Sequence, residues 1–221
     1  MTETFLSRLQ FSVHLWMSRL SYGMSSFRYP LRRELWHTCQ QTLKEISTTT
    51  TPLECSEIWQ WAKACEKVDG DLAEVGVYKG ATAALILKVS GKKLHLFDTF
   101  QGLPDSEGKF EKGEWTGTLG AVKQNLARWE SRVEYHVGLF PESAKGLDVR
   151  FSFVHLDMDL YAGTKAALEW FWPRLSKGGA ILSHDYPLSD GVIRAFHEFF
   201  DARREPFVPL SGCQCVAVKL D

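Results

Sequence analysis

The chain has 221 residues with 26 basic and 27 acidic side chains, a formal net charge of −1. That balance gives no electrostatic footprint for a polyanionic partner and argues against nucleic acid. Five cysteines, odd in number and without metal-finger spacing, fit a reducing cytoplasm.

The first segment carries Phe5, Leu9, Val13, Trp16, Leu20 and Met24 at spacings of four and three, one stripe of an amphipathic helix. Arg8, Arg19, Arg28, Arg32 and Arg33 occur between Glu3 and Glu34 with no acid among them. No run approaches the roughly 18 apolar residues of a membrane span, so no transmembrane segment is expected. Arg19 interrupts the stretch, which argues against a secretory signal. The sparse positive charge favours docking on protein, within the domain or in a homo-oligomer, over a membrane surface. A second helix is predicted over 31–46 behind Pro30, and the run 47–51 reads as a linker. Residues 1–51 thus form a helical extension, and 52–221 the main domain.

Within that domain a helix capped by Ser56 is predicted through Val68, with Ile58, Trp61, Ala62 and Cys65 inward. Leu72 to Val75 reads as a strand carrying Glu74, Gly76 to Gly80 as a tight turn, and Thr82 to Val89 as a helix. A dinucleotide fingerprint would need glycine where Tyr78 and Ala81 stand, and a phosphate-binding loop would need its lysine after the glycine, not at Lys79. What remains is Glu-x-Gly-x-x-x-Gly, whose carboxylate suits a ligand bearing positive charge or hydroxyls. Strands follow at 94–97, 133–137, 151–156 and 180–183, with helices predicted at 119–129, 164–175 and 192–200. The last two strands, 207–210 and 213–218, lie close enough to pair as a hairpin. This alternation predicts an α/β fold, a doubly wound, mostly parallel seven-stranded sheet of Rossmann-like type.

Glu74, Asp98, Asp157 and Asp185 each close an apolar strand, so parallel order would gather them at one rim, where ligands bind. Asp98 lies 24 residues after Glu74, where an acid accepts the hydroxyls of a ribose. Gly138, after the third strand, is placed to border an adenine. The loop from Thr99 to Trp115 is long enough for a lid, and equally readable as a solvated loop. His95, His155 and His197 read as structural histidines, and the aromatic run Trp170 to Trp172 as core.

Three further stretches sharpen the glycine-turn reading: Leu96-Phe-Asp-Thr-Phe-Gln-Gly-Leu-Pro104, Leu156-Asp-Met-Asp-Leu-Tyr-Ala-Gly-Thr164 and His184-Asp-Tyr186. Together, over about residues 70–219, the chain resembles the macrocin O-methyltransferase-like family of class I S-adenosylmethionine-dependent methyltransferases. The resemblance implies methylation of sugar hydroxyls on natural products, with S-adenosylmethionine as donor and a divalent cation, usually Mg²⁺. It implies that Glu74, Gly76 and Gly80, with the intervening Val77 and Tyr78, hold the methionine part of the donor, and Asp98 with Thr99 its ribose. Asp157, His184 and Asp185 would hold the metal. The family pattern has two acids before the tyrosine, and His184 replaces the first, which opens the choice of metal beyond oxygen-loving Mg²⁺. Methyl transfer needs an aligned oxygen nucleophile and a proton acceptor. Asp157 and His184 are the catalytic candidates, with His136 a third possible base and Asp159 either a ligand or a helix cap. The rival readings are a dinucleotide-dependent oxidoreductase and a donor-binding module without catalysis.

Overall fold

A computed structural model describes residues 30–221 of the chain. The predicted stripe from Phe5 to Met24, and the docking expected of it, lie outside the described residues.

Helix α1 (Pro30–Glu45) is followed by α2 (Pro52–Ala64). The cap of α2 is Thr51 rather than Ser56. The Thr51 hydroxyl accepts from Glu54 N at 3.3 Å, and the Glu54 carboxylate accepts from Thr51 N at 2.6 Å. That reciprocal pair satisfies two end N–H groups, and Pro52 suits the first turn. Ser56 instead lies inside the helix, its hydroxyl donating to Leu53 O.

Strand β1 (Asp71–Val75), helix α3 (Ala81–Val89) and β2 (Leu94–Asp98) match the predicted strand–turn–helix–strand. Helix α4 (Leu119–Leu126) is shorter than expected and continues as a tighter 3₁₀ turn into β3 (Val133–Val137). Strand β4 (Phe151–Leu156) leads into α5 (Tyr161–Phe171). The predicted end of that helix at Leu175 is wrong. Pro173 sits in a 3₁₀ turn, and Leu175 already begins β5 (Leu175–Ser183). Helix α6 (Asp190–Phe200) and the pair β6 (Phe207–Pro209) and β7 (Cys215–Val218) complete the domain.

The sheet has seven strands in the order β3-β2-β1-β4-β5-β7-β6. The first five are parallel, while β7 runs antiparallel to both β5 and β6. Strand alternation splits the core in two. Leu72, Leu94, Leu96 and Phe153 face one layer, packed with Leu35 and Cys39 of α1, Ile58 and Trp59 of α2, and Leu85 and Ile86 of α3. Ala73, Val75, Phe97 and Val154 face the other, packed with Leu168 and Phe171 of α5 and Phe196 and Phe200 of α6. The predicted core reading of Trp172 holds, since it is buried in this second layer. Central β1 and β4 are covered on both faces, so their carboxyl ends open together onto one rim. No helix among the described residues is long and apolar enough to cross a membrane.

Candidate active site

The glycine turn after β1 is shaped by backbone demands. Gly76 has φ +83°, and a Cβ there would stand 1.8 Å from the Asp157 carbonyl oxygen. Only glycine lets the end of β4 pass so close. Gly80, also left-handed at φ +81°, caps the start of α3. Between them the N–H groups of Val77 and Tyr78 donate to Asp98 Oδ2 at 2.6 and 3.2 Å, while Phe100 N donates to Oδ1 at 2.7 Å. Asp98 therefore ties the ends of β1 and β2 together. A carboxylate has about four lone-pair positions, so one is left for a ligand hydroxyl rather than the two needed to take both from a ribose.

Over this turn opens a cavity of about 480 Å³. Among the residues expected at the site, Gly76, Val77, Tyr78, Asp98, Thr99, Gly138, Asp157, His184 and Asp185 all line it. Glu74 and Gly80 do not. Glu74 shares the face of Leu72, under α2 and α3, and is fully buried with Oε1 2.8 Å from His155 Nδ1. Its position short of the strand end turns the carboxylate beneath the rim instead of over it. His136, weighed as a base, stacks on Phe97 with centroids 4.4 Å apart and bonds His95, away from the cavity. That removes it as a base.

The loop from Thr99 to Trp115 is anchored rather than merely solvated. Both Glu107 carboxylate oxygens accept from Tyr161 N, at 3.1 and 3.2 Å, which places an anion at the N-terminus of α5. Leu103, Phe110 and Leu160 form a small apolar cluster beneath it. Lys109 and Trp115 reach the cavity wall, and Trp115 meets Tyr78 edge-on at 5.8 Å. Because Glu107 caps α5, Asp159 is not its cap.

Acids crowd the far wall. Asp159 and Asp185 both hold left-handed backbone, φ +59° and +60°, which turns them toward Asp157. Burial, with the neighbouring charges of Asp157 and Asp185, pushes the Asp159 carboxyl up to about 9. Burial raises Asp157 to about 6 against the pull of His184. Asp185 stays below its ordinary value: burial opposes this, but His184 and a hydrogen bond from Asp159 prevail. Asp159 is therefore the protonated member of the pair. His184 Nδ1 stands 3.3 Å from both Asp157 Oδ1 and Asp185 Oδ2. Burial disfavours its charge, yet these acids raise it well above the ordinary histidine range.

Two residues of this wall escaped the sequence reading. Glu54 and Cys213 face the other nitrogen of His184, Nε2, each at 3.5 Å. The Thr-x-x-Glu spacing at 51–54 is a capping-box signal that would have located the carboxylate, though not its partner.

The residues fit the groups their pattern implies. The cavity joins a glycine turn and the acid at the end of β2, as a nucleoside-bearing donor requires. Asp157, Asp185 and His184 offer ligand atoms within 4.8 Å of one another. A divalent cation would relieve the carboxylate repulsion that keeps Asp159 protonated.

Comparison with known proteins gives one consistent result. The family model described as Macrocin-O-methyltransferase (TylF) matches residues 60–211. A 4'-O-methyltransferase of 8-demethyl-8-(2,3-dimethoxy-alpha-L-rhamnosyl)-tetracenomycin-C from Streptomyces olivaceus is 29% identical, over 60% of this chain and 58% of its own length. The mycinamicin III 3''-O-methyltransferase of Micromonospora griseorubida is 28% identical over 61% of each. The chain thus spans about three fifths of the length of these curated relatives. Among solved structures, the O-methyltransferase NovP superposes with a TM-score of 0.67 at 20% identity, covering 79% of this chain and 82% of that one. The calicheamicin methyltransferase CalS11 gives 0.65 at 18%, covering 87% and 94%. These two likenesses bear on the fold, which is that of Rossmann-like methyltransferases.

Proposed function

Since the chain belongs to the macrocin O-methyltransferase family, we propose that it moves the methyl group of S-adenosylmethionine to a hydroxyl of a small, sugar-bearing natural product. The observation that carries this reading is one cavity holding the glycine turn, Asp98 and the Asp157–Asp159–Asp185 cluster side by side. Val77, Tyr78, Thr99 and Gly138 border the donor, with Asp98 holding the turn and offering its remaining lone pair to the ribose. Glu74 acts from below the floor, its charge adding to the forces that raise Asp157.

Asp157 lies on the cavity wall with a carboxyl near 6, so at neutral pH it is ionised and basic enough to take the acceptor's proton. His184 positions it, facing Asp157 and Asp185 with the same nitrogen. The carboxylate oxygens of Asp157 and Asp185, with Asp159 beside them on the cavity wall, would hold a divalent cation, Mg²⁺ by the chemistry of the oxygens. Such an ion, when bound, lowers the pKa of an alkyl hydroxyl and orients it. The anchored loop, with Lys109 and Trp115 on the cavity wall, excludes water above the donor.

The proposal extends to setting. Five free thiols suit a reducing cytoplasm. We divide the chain at Pro52 and take the preceding segment, whose helix α1 packs Leu35 and Cys39 on the domain, as the helical extension that carries the oligomer contact. Removing residues 1–25 would then lower the mass in size-exclusion chromatography with light scattering.

The test of the activity is methyl transfer from labelled donor to a panel of sugar-bearing acceptors, in chelated enzyme and with Mg²⁺ restored. Labelled product that needs Mg²⁺ supports the whole reading. Full activity in EDTA removes the cation, and donor binding without transfer to any acceptor favours the non-catalytic module.

A further inference from the structure

The wall of the cavity behind the acids contains a second group of ligand atoms, of a different chemical kind. Glu54 comes from the first turn of α2, His184 from the end of β5, and Cys213 from the turn between β6 and β7. Their atoms converge: Nε2 of His184 lies 3.5 Å from Cys213 Sγ and 3.5 Å from Glu54 Oε2, and Sγ lies 2.9 Å from Glu54 Oε1. We propose that Glu54, His184 and Cys213 form a site for a thiophilic dication, Zn²⁺, distinct from the oxygen site of Asp157 and Asp185.

The spacing fits. A tetrahedral zinc ion with bonds of about 2.3 Å to sulfur and 2.0–2.1 Å to nitrogen places those two atoms about 3.5 Å apart. The 2.9 Å contact between Sγ and Glu54 Oε1 must open. It is short because the thiol donates a hydrogen bond to the carboxylate. Charge also fits, since one thiolate and one carboxylate neutralise a dication in a buried wall. On binding, the thiol proton and the Nε2 proton leave for solvent as the Zn–S and Zn–N bonds form.

The surroundings are those of a built ligand set. Thr51 N–H holds Glu54 Oε2 at 2.6 Å, and the capping box fixes its rotamer. With Nε2 on the metal, Nδ1–H of His184 is left to donate to Asp157 and Asp185, both at 3.3 Å. A ligating histidine held from behind by carboxylates is the pattern that orients metal-bound imidazoles. All three residues also line the cavity. The fourth coordination position therefore opens onto it, as in zinc sites that keep a place for water or a substrate oxygen. This assignment accounts for a histidine standing where the family pattern has an acid. It does not depend on the identity of the methyl donor.

The probe is Co²⁺, which reports thiolate ligation as a near-ultraviolet charge-transfer band, with competition by Zn²⁺ giving the affinity. The site predicts the band in the wild-type chain, its loss in Cys213→Ser, and its retention in Asp157→Asn. Zinc affinity should fall more than about 100-fold in Cys213→Ser, beyond what loss of an orienting partner costs. X-ray absorption of the zinc-loaded wild type gives a check that needs no variant: one sulfur beside nitrogen and oxygen neighbours. A shell of nitrogen and oxygen alone, or a cobalt band that survives Cys213→Ser, overturns the proposal. Donor binding, followed separately by calorimetry with S-adenosylhomocysteine, stands or falls on its own.

Discussion

Two groups of histidines and acids sit at different places on the sheet, and their contrast shows what marks a site. In one, Asp71, His95, Glu134 and His136 line up across β1, β2 and β3. His95 Nε2 is 3.0 Å from Asp71 and its Nδ1 3.0 Å from His136 Nε2, while Glu134 pairs with Lys93 at 2.7 Å. Every charge there has a partner. Burial and the neighbouring His95 lower the His136 pKa, which leaves that ring neutral. In the other, Asp157, Asp185 and Glu54 each stand within 3.5 Å of His184, with Asp159 beside them on the wall of a cavity. Residue types are the same in both; what differs is uncompensated charge beside empty space. Backbone conformation follows the same division. Among the described residues, the non-glycine positions with positive φ are Tyr78, Phe100, Trp115, Asp159 and Asp185, all at or beside the rim. Strain of this kind is held where a site needs it.

The contrast can be broken most sharply by activity. Asp157→Asn should cut methyl transfer by about 10²–10⁴-fold, the usual worth of a general base, while S-adenosylhomocysteine still binds. A bound cation moves Asp157 below the value of about 6 it has in the cation-free chain, so the wild-type rate should fall on acidification below about pH 6 and the variant should lack that limb. A pH-independent rate in the wild type would remove Asp157 as the base.

Next in size is donor affinity. Asp98→Ala should weaken S-adenosylhomocysteine binding by about 1–3 kcal/mol, through both the lost acceptor and the loosened turn. Unchanged affinity in a folded variant, read by calorimetry, would show that the turn holds its shape without Asp98 and that the ribose lies elsewhere.

Asp159 sharpens the comparison through stability. Its folded pKa of about 9 lies far above the ordinary 3.8, so the native state holds the proton more tightly than the unfolded chain. The stability this gives is complete below about pH 4 and is lost as pH rises toward 9. Asp159→Asn keeps the neutral shape, and asparagine tolerates left-handed backbone. It should raise stability by about 0.5–2 kcal/mol near pH 8 and flatten its pH dependence, measured by denaturant unfolding. Equal pH dependence in both proteins would contradict the shared-proton account.

The smallest effect belongs to the first cluster. His136→Ala should cost about 1 kcal/mol of stability and leave methyl transfer unchanged. A loss of activity comparable with that of Asp157→Asn would erase the distinction between the two clusters.

Much of this was legible in the chain. The alternation of apolar strands and amphipathic helices, with acids at strand ends, prescribed a parallel sheet and one charged rim. The glycines at 76 and 80 marked the turn because no other residue tolerates its backbone. What escaped was decided by side-chain direction and distance. Glu74 sits on the strand face that turns under the helices, and one residue of register separates that from the rim. Glu54 and Cys213, 159 residues apart, meet only because α2 and the β6–β7 turn close over the end of β5. His136 and His184 look alike in the sequence; stacking on Phe97 absorbs one, and three acids surround the other. The Ser56 cap failed because Thr51 and Glu54 satisfy each other three residues apart, a stronger local solution.

The central claim is that the cavity over the glycine turn takes a methyl donor. Calorimetric titration of the full chain with S-adenosylhomocysteine and, separately, with NAD(H) tests it most directly. The account predicts one S-adenosylhomocysteine bound per chain, weakened in Asp98→Ala, and no heat from NAD(H). Binding of NAD(H) at this site without S-adenosylhomocysteine would contradict it.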